Sequence, residues 1–222
     1  MAEKVKIHPV TPHKKRIFEV ADQLKMGSIA MFPTDSQYSL GCVYTNKKGI
    51  ERIRQIRNLD KNHLLTLICD SLSGISKFAL ITDDNFKIIK RLMPGPYTFV
   101  LPATKAVPKL LLNPRRKTIG FRVPDYPICQ ELIAEIGDPL ISTTAKFPNI
   151  DGELNRYPDR EELFHSYEKL IDIIIDDQQD LSKQESTVID LTEGPAIILR
   201  RGLGAAKVEE VCHQYDKELV EA

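Results

Sequence analysis

The sequence predicts a single α/β domain, on three observations. Apolar runs of strand length, such as Leu64–Cys69 and Ile171–Asp176, are close to continuous and so suit a sheet covered on both faces. Between such runs lie stretches whose apolar residues recur at helical spacing, so strands and helices interleave along the chain. No internal repeat and no linker divides the 222 residues, a length that supports a sizeable core.

Val5–Pro9 reads as a short opening strand, and Thr11-Pro12 suits an N-cap followed by proline in the first helical turn. Ile17, Val20, Ala21 and Leu24 then mark a helix up to Gly27, which can take the left-handed conformation that ends one. Ser28–Phe32 is a buried strand closed by Pro33. Pro33–Gly41 follows as a loop bearing the hydroxyls of Thr34, Ser36, Tyr38 and Ser39 and the Asp35 carboxylate. Such a loop either grips a small polar ligand or is a turn that satisfies its own amides. Cys42–Tyr44 resumes extended structure, and Asn46 caps a helix from about Lys47 to Arg57 with the apolar stripe Ile50, Ile53 and Ile56. Its other faces and the turn beyond are basic (Lys47, Lys48, Arg52, Arg54, Arg57, Lys61), either as solvated surface or facing phosphate.

Leu64–Cys69 is the next strand. A short helix follows Ser71 through Leu72, Ile75, Phe78 and Ala79, and Asp83 caps another that runs to Met93 and stops at Pro94-Gly95-Pro96. Tyr97–Leu101 is a strand bounded by Pro102. The basic cluster Arg115-Arg116-Lys117 leads into Thr118–Pro124, where Arg122 points away from the face that Phe121 and Val123 share. Arg122 thus lines a cleft or a solvated face.

Ile128–Ile136 is a helix ending at Gly137, and Pro139–Thr144 repeats the change from apolar residues to hydroxyls seen after Phe32. Ala145–Tyr157 is irregular. Asp159 caps a helix with Leu163, Tyr167 and Leu170, followed by the strand Ile171–Asp176. Ser186–Leu191 opens a strand on two hydroxyls, and Ala196–Gly202 closes one on Arg200 and Arg201. The domain spans residues 1–206, and residues 207–222 form a helical tail carrying Val208, Val211 and Tyr215.

With 31 basic and 31 acidic side chains the net charge is zero, so attraction to phosphate has to come from local clustering. The cysteines Cys42, Cys69, Cys129 and Cys212 are scattered without metal-ligand spacing, which argues against structural zinc and for a reducing compartment. Neither a signal-peptide hydrophobic region nor an apolar run approaching ~20 residues is present, so a cytoplasmic protein with no membrane partner is expected. Both common phosphate-cradling loops, Gly-x-Gly-x-x-Gly and Gly-x-x-x-x-Gly-Lys-Ser/Thr, are missing, as is Gly-x-Ser-x-Gly around any serine. Hydroxyls and arginines without a covalent nucleophile suit holding charged reactants together.

Five stretches resemble, in order, the YrdC/YciO family and its YciO branch in particular: Pro33-Thr34-Asp35-Ser36-x-Tyr38-x-Leu40-Gly41, Pro94-Gly95-Pro96-Tyr97-Thr98, Arg122-Val123-Pro124, Ser186-Thr187-Val188-Ile189-Asp190 and Leu199-Arg200-x-Gly202. The resemblance runs from about Ile7 to Gly204. It implies a twisted, open mixed sheet with a large concave, positively charged cleft. It also implies synthesis of threonylcarbamoyl-adenylate from L-threonine, bicarbonate and ATP with release of pyrophosphate, the first half of threonylcarbamoyladenosine formation in tRNA. Magnesium on the ATP phosphates is the cofactor so implied.

Carried over motif by motif, Thr34, Tyr38, Arg122, Thr144 and Ser186 contact the threonine, while Arg57, Lys61, Lys146 and Arg200 face the nucleotide, with Arg57 and Lys146 nearest the chemistry. Active synthases of the family carry Lys-x-Arg where this chain has Arg57-Asn58-Leu59, and Ser-x-Asn where it has Thr144-Ala145-Lys146. Arginine and lysine are not interchangeable at a phosphate, so these departures imply weak or altered turnover. The alternative expectation is a non-catalytic module that binds double-stranded RNA or tRNA through Arg52–Lys61 and Arg115–Lys117.

Overall fold

Side-chain alternation within the strands decides the architecture. In β2 (Ala30–Phe32), Met31 enters one core while Ala30 and Phe32 enter another; in β8 (Ile173–Asp176), Ile174 parts from Ile173 and Ile175 in the same way. Strands that are apolar on both faces must be covered on both. Helices α1 (Lys14–Lys25) and α5 (Pro127–Ile136) seal one face with Ile17, Val20, Leu24, Ile128, Leu132 and Ile136. The larger core on the other face takes in α2 (Lys47–Ile56), α3 (Leu72–Phe78), α4 (Asp83–Leu92), α6 (Arg160–Tyr167) and α7 (Ala205–Gln214).

This computed structural model describes residues 1–60, 63–147, 159–180 and 182–222. Among them one mixed, open sheet holds eleven strands. The strands not yet introduced are β1 (Glu3–Lys6), β3 (Ser39–Val43), β4 (Thr66–Ile68), β5 (Tyr97–Pro102), β6 (Thr118–Arg122), β7 (Leu140–Thr144), β9 (Thr187–Asp190), β10 (Ala196–Arg200) and β11 (Leu219–Glu221). Their order across the sheet is β1-β8-β2-β3-β7-β4-β6-β5-β9-β10-β11. Antiparallel pairing of β3 with both β2 and β7 puts Ser39 beside Phe32 on one side and Thr144 on the other. The chain leaving β2 and the chain leaving β7 therefore emerge together.

Several boundaries differ from the sequence expectation, each for a local reason. The proposed loop Pro33–Gly41 is shorter, because Ser39, Leu40 and Gly41 already belong to β3. Gly41 makes this pairing possible: a Cβ there would press on the Ile141 carbonyl oxygen and lie 3.0 Å from the Phe32 ring. Helix α1 starts after His13 rather than at Thr11, whose hydroxyl instead lies 3.1 Å from His8 Nδ1. Thr82, not Asp83, caps α4, its Oγ1 accepting from Asn85 N at 3.3 Å. Asn46 and Asp159 cap α2 and α6 as expected, Asp159 forming a reciprocal capping box with Glu162.

Helix α6 stops at Tyr167, with Leu170 in the turn beyond it, and β1 covers Glu3–Lys6 rather than Val5–Pro9. No sequence signal pointed to β11, which follows α7 and pairs in parallel with β10. Of the stretch expected to be irregular, Ala145–Phe147 has no regular structure, and its remainder lies outside the described residues.

Candidate anion-binding site

The loop after β2 folds on itself first. Thr34 Oγ1 donates to the Gln37 carbonyl at 2.6 Å and accepts from Ser36 N at 3.2 Å, so the stretch is a turn that satisfies its own amides, and the turn presents its neighbours. What it presents is Asp35 and Ser36 to Arg122. That arginine ends β6 with 6% of its surface exposed, pairs with the Asp35 carboxylate and donates from Nη2 to Ser36 Oγ at 2.9 Å. The second Asp35 oxygen accepts from Asp125 N at 2.9 Å. Arg122 Nε is buried without a hydrogen-bond partner, an unfilled donor where polar groups are normally paired.

Tyr38 turns the other way, into the fold. Its hydroxyl donates to Asp177 Oδ1 at 2.6 Å, its ring meets Phe164 edge to face, and Tyr126 donates to the other Asp177 oxygen. Burial first, and then these hydrogen bonds to Asp177, push both phenols well above the ordinary tyrosine pKa. The Tyr38 carbonyl accepts from Ala145 N at 2.9 Å, tying the loop to the chain leaving β7. Gln37 Nε2 reaches the Ser182 carbonyl at 3.2 Å and ties it to the approach to β9.

A second group forms where β9 begins and β10 ends. Ser186 Oγ lies 3.2 Å from Thr98 Oγ1 and accepts from Arg200 Nη2 at 3.0 Å, while Arg200 Nε donates to the Ser186 carbonyl at 3.0 Å. Arg200 Nη1 pairs with Glu185, whose other oxygen holds Lys146 Nζ at 2.6 Å. Lys146, Glu185 and Arg200 line an open cleft of about 730 Å³, completed by Gln184, Arg201, Gly202 and the first turn of α7. Arg201 is paired across the surface with Glu209 and Glu221.

The remaining sequence candidates take different positions. Arg57, which ends α2, spends Nε on the Thr144 carbonyl at 3.1 Å and Nη1 on the carbonyls of Lys146 and Phe147 at 3.3 and 3.2 Å. It steers the Thr144–Phe147 segment through its backbone. Thr144 closes β7 half-buried beside Ser39, and Lys61 lies outside the described residues.

Three residues that the sequence did not single out matter here. Glu185 and Asp177 are buried acids at strand ends, a pattern a sequence reader could flag only by noticing carboxylates directly flanking apolar runs. His63 feels the charges of Arg54, Arg57 and Lys146. It is exposed as a residue, yet crowding of its ring first, and those cations second, lower its pKa below the ordinary imidazole value.

The structure is thus an α/β protein in which two cationic groups, one beside a hydroxyl-rich turn and one lining a cleft, are joined through Tyr38–Ala145 and Gln37–Ser182. The chain belongs to the Sua5/YciO/YrdC family: the family model, described as "Telomere recombination", matches residues 22–202. It is 39% identical over 201 residues to the uncharacterized protein YciO of Escherichia coli (strain K12), covering 90% of this chain and 96% of that one. The crystal structure of E. coli YciO superimposes with a TM-score of 0.86 at 38% identity, covering 94% of this chain and 99% of that chain. Threonylcarbamoyl-AMP synthase of Vibrio vulnificus (strain YJ016) is 33% identical over 138 residues, 61% of this chain and 72% of that protein. Sua5 of P. abyssi, solved with L-threonine, superimposes with a TM-score of 0.84 at 25% identity, over 98% of this chain and 62% of the longer relative. The open mixed α/β sheet expected from the five motifs is thus the fold observed. Among the described residues, no helix is long and apolar enough to cross a membrane.

Proposed function

We propose that this chain is a threonylcarbamoyl-AMP synthase-like nucleotidyltransferase serving tRNA threonylcarbamoyladenosine modification. The observation that carries the proposal is the linkage, by hydrogen bonds through a single loop, of a buried arginine with an unfilled donor to a cleft lined by Lys146 and Arg200. The first group suits the carboxylate and hydroxyl of an amino acid, with its own Arg122 and Thr34 as contacts, joined by Thr144 at the end of β7 and Ser186 of the second group, and with Tyr38 holding the loop from behind. The second suits phosphates, with Lys146 and Arg200 as contacts and Arg57 positioning Lys146.

In the proposed reaction the threonine amine adds to carbon dioxide derived from bicarbonate, losing a proton and forming a carbamate. A carbamate oxygen then bonds to the α-phosphorus of ATP as the bond from that phosphorus to the β-bridging oxygen breaks, and pyrophosphate leaves with the electron pair. The protein contributes orientation and charge neutralisation, with no covalent intermediate. Magnesium would arrive on the ATP phosphates, where it needs at most one or two protein carboxylates.

Arg52, Arg54 and Arg116 bond to Asp172, the Asp60 carbonyl and Asp190 respectively, which leaves the RNA-binding alternative to residues such as Lys47, Lys48 and Arg115. Purified protein supplied with ATP, magnesium and bicarbonate is expected to release pyrophosphate only when L-threonine is added. Release that ignores threonine, or no release at any threonine concentration, would overturn the proposal.

A further inference from the structure

Glu185 occupies the place where an anion would be expected. Its side chain is only 9% exposed and bridges Lys146, just past the end of β7, and Arg200, at the end of β10. Arg200 does not depend on that bridge for its position, because Ser186 holds Nε through its carbonyl and Nη2 through its hydroxyl. The Glu185 backbone is equally fixed. Its carbonyl accepts from Leu203 N at 2.8 Å, and Gly202 lies so close that a Cβ there would fall 2.7 Å from the Ser186 carbonyl carbon and oxygen. What can move is the Glu185 side chain itself, together with Lys146, whose side chain is 57% exposed.

We propose that Glu185 is a built-in competitor that sets the threshold an anion must pass to occupy this cleft. The inference rests on the reading that the cleft receives phosphates. A compact anion such as sulfate offers the two cations little beyond the bridging oxygens the carboxylate already supplies, and it must compete with a group tethered at high effective concentration. A polyphosphate brings more charge and more oxygens, and it can extend past the pair towards Gly202 and the first turn of α7, which has no side-chain cap. The same carboxylate penalises either anion, and the longer one gains enough to overcome it.

The test is calorimetric titration of the intact chain with sodium sulfate and with pyrophosphate, in magnesium-free buffer without threonine or bicarbonate. Glu185→Gln is expected to tighten the binding of both anions by about tenfold or more, the effect of one partly screened charge, because either must displace the same carboxylate. Unchanged affinities, or loss of affinity for both anions, would overturn the proposal. Crystals of the unaltered chain soaked in pyrophosphate give a second measure that does not depend on the variant folding. Phosphate oxygens are expected on Arg200 Nη1 and Lys146 Nζ with the carboxylate displaced, and Glu185 retaining both cations while pyrophosphate binds elsewhere would refute it. Both measurements omit the amino acid, so absence of threonine-dependent turnover would count against the proposed reaction and leave this inference standing.

Discussion

At the scale of single residues, the site is dominated by charges that are paired before any ligand arrives. Arg122 and Asp35 form a buried pair in which each supplies most of the other's compensation. Removing one partner of such a pair costs more than the pair itself contributes, because the remaining charge is stranded away from water. Asp35→Asn is therefore expected to lower stability by about 3–5 kcal/mol, read as a shift in the urea midpoint at unchanged slope. His63 makes the opposite kind of contribution. Folded, it holds its proton less tightly than in the unfolded chain, so the unfolded state binds more protons as pH falls below the ordinary imidazole value of 6.5. Stability should decline through that range and level off below the folded pKa, while above 6.5 the contribution disappears. His63→Gln should flatten this slope in urea titrations run across mildly acidic to neutral pH, whereas an unchanged slope would assign it to other groups.

At the scale of elements, glycine positions determine how closely the strands that carry the site approach. Gly202 follows β10 and rests on the backbone of Glu185 and Ser186, with its own N–H 3.2 Å from Thr187 Oγ1. Because the obstructing atoms are main chain, Gly202→Ala cannot be relieved by a rotamer change and must part the exit of β10 from the start of β9. Pyrophosphate affinity is expected to fall by about tenfold or more with a cost of roughly 1–3 kcal/mol in stability. A variant that kept its affinity while losing stability would show that the cleft tolerates the separation. Such contacts explain what the sequence made legible. Apolar runs and caps located nearly every element, since Ile50, Ile53 and Ile56, or Asn46 and Asp159, are local signals. The start of β3 was misplaced because Ser39 and Gly41 look like loop residues until Phe32 and Ile141 are beside them. The five motifs fall on the loops and strand ends that carry these groups, yet the buried carboxylates that bind their partners, Glu185 and Asp177, emerged only from pairing across the fold.

At the scale of the whole molecule, the two ends of the sheet are closed by short strands from the two ends of the chain, β1 beside β8 and β11 beside β10. The segment from Lys207 onward was expected as a helical tail, and in the structure Val208, Val211 and Cys212 are buried in the larger core. Burying one such aliphatic side chain contributes roughly 1.5–3 kcal/mol, and a domain of this size is stable by only about 5–15 kcal/mol. A chain ending at Ala206 would expose the core surface these three residues cover and leave β10 as an unprotected edge. It is expected to be insoluble or to lack a cooperative thermal transition, and a soluble truncation with an unchanged melting temperature would make residues 207–222 a dispensable appendage.

The carboxylate shared by Tyr38 and Tyr126 also gives the protein an internal light signal. The chain has seven tyrosines and no tryptophan, so its intrinsic emission is tyrosine emission. An excited phenol loses its proton readily to a carboxylate already hydrogen-bonded to it, which makes Tyr38 and Tyr126 dark while both rest on Asp177. A ligand that drew the loop after β2 outward would lengthen the Tyr38 bond and brighten that ring. Occupancy of the site would then be readable in the unlabelled protein, from the ultraviolet fluorescence of a residue whose hydroxyl rests on Asp177.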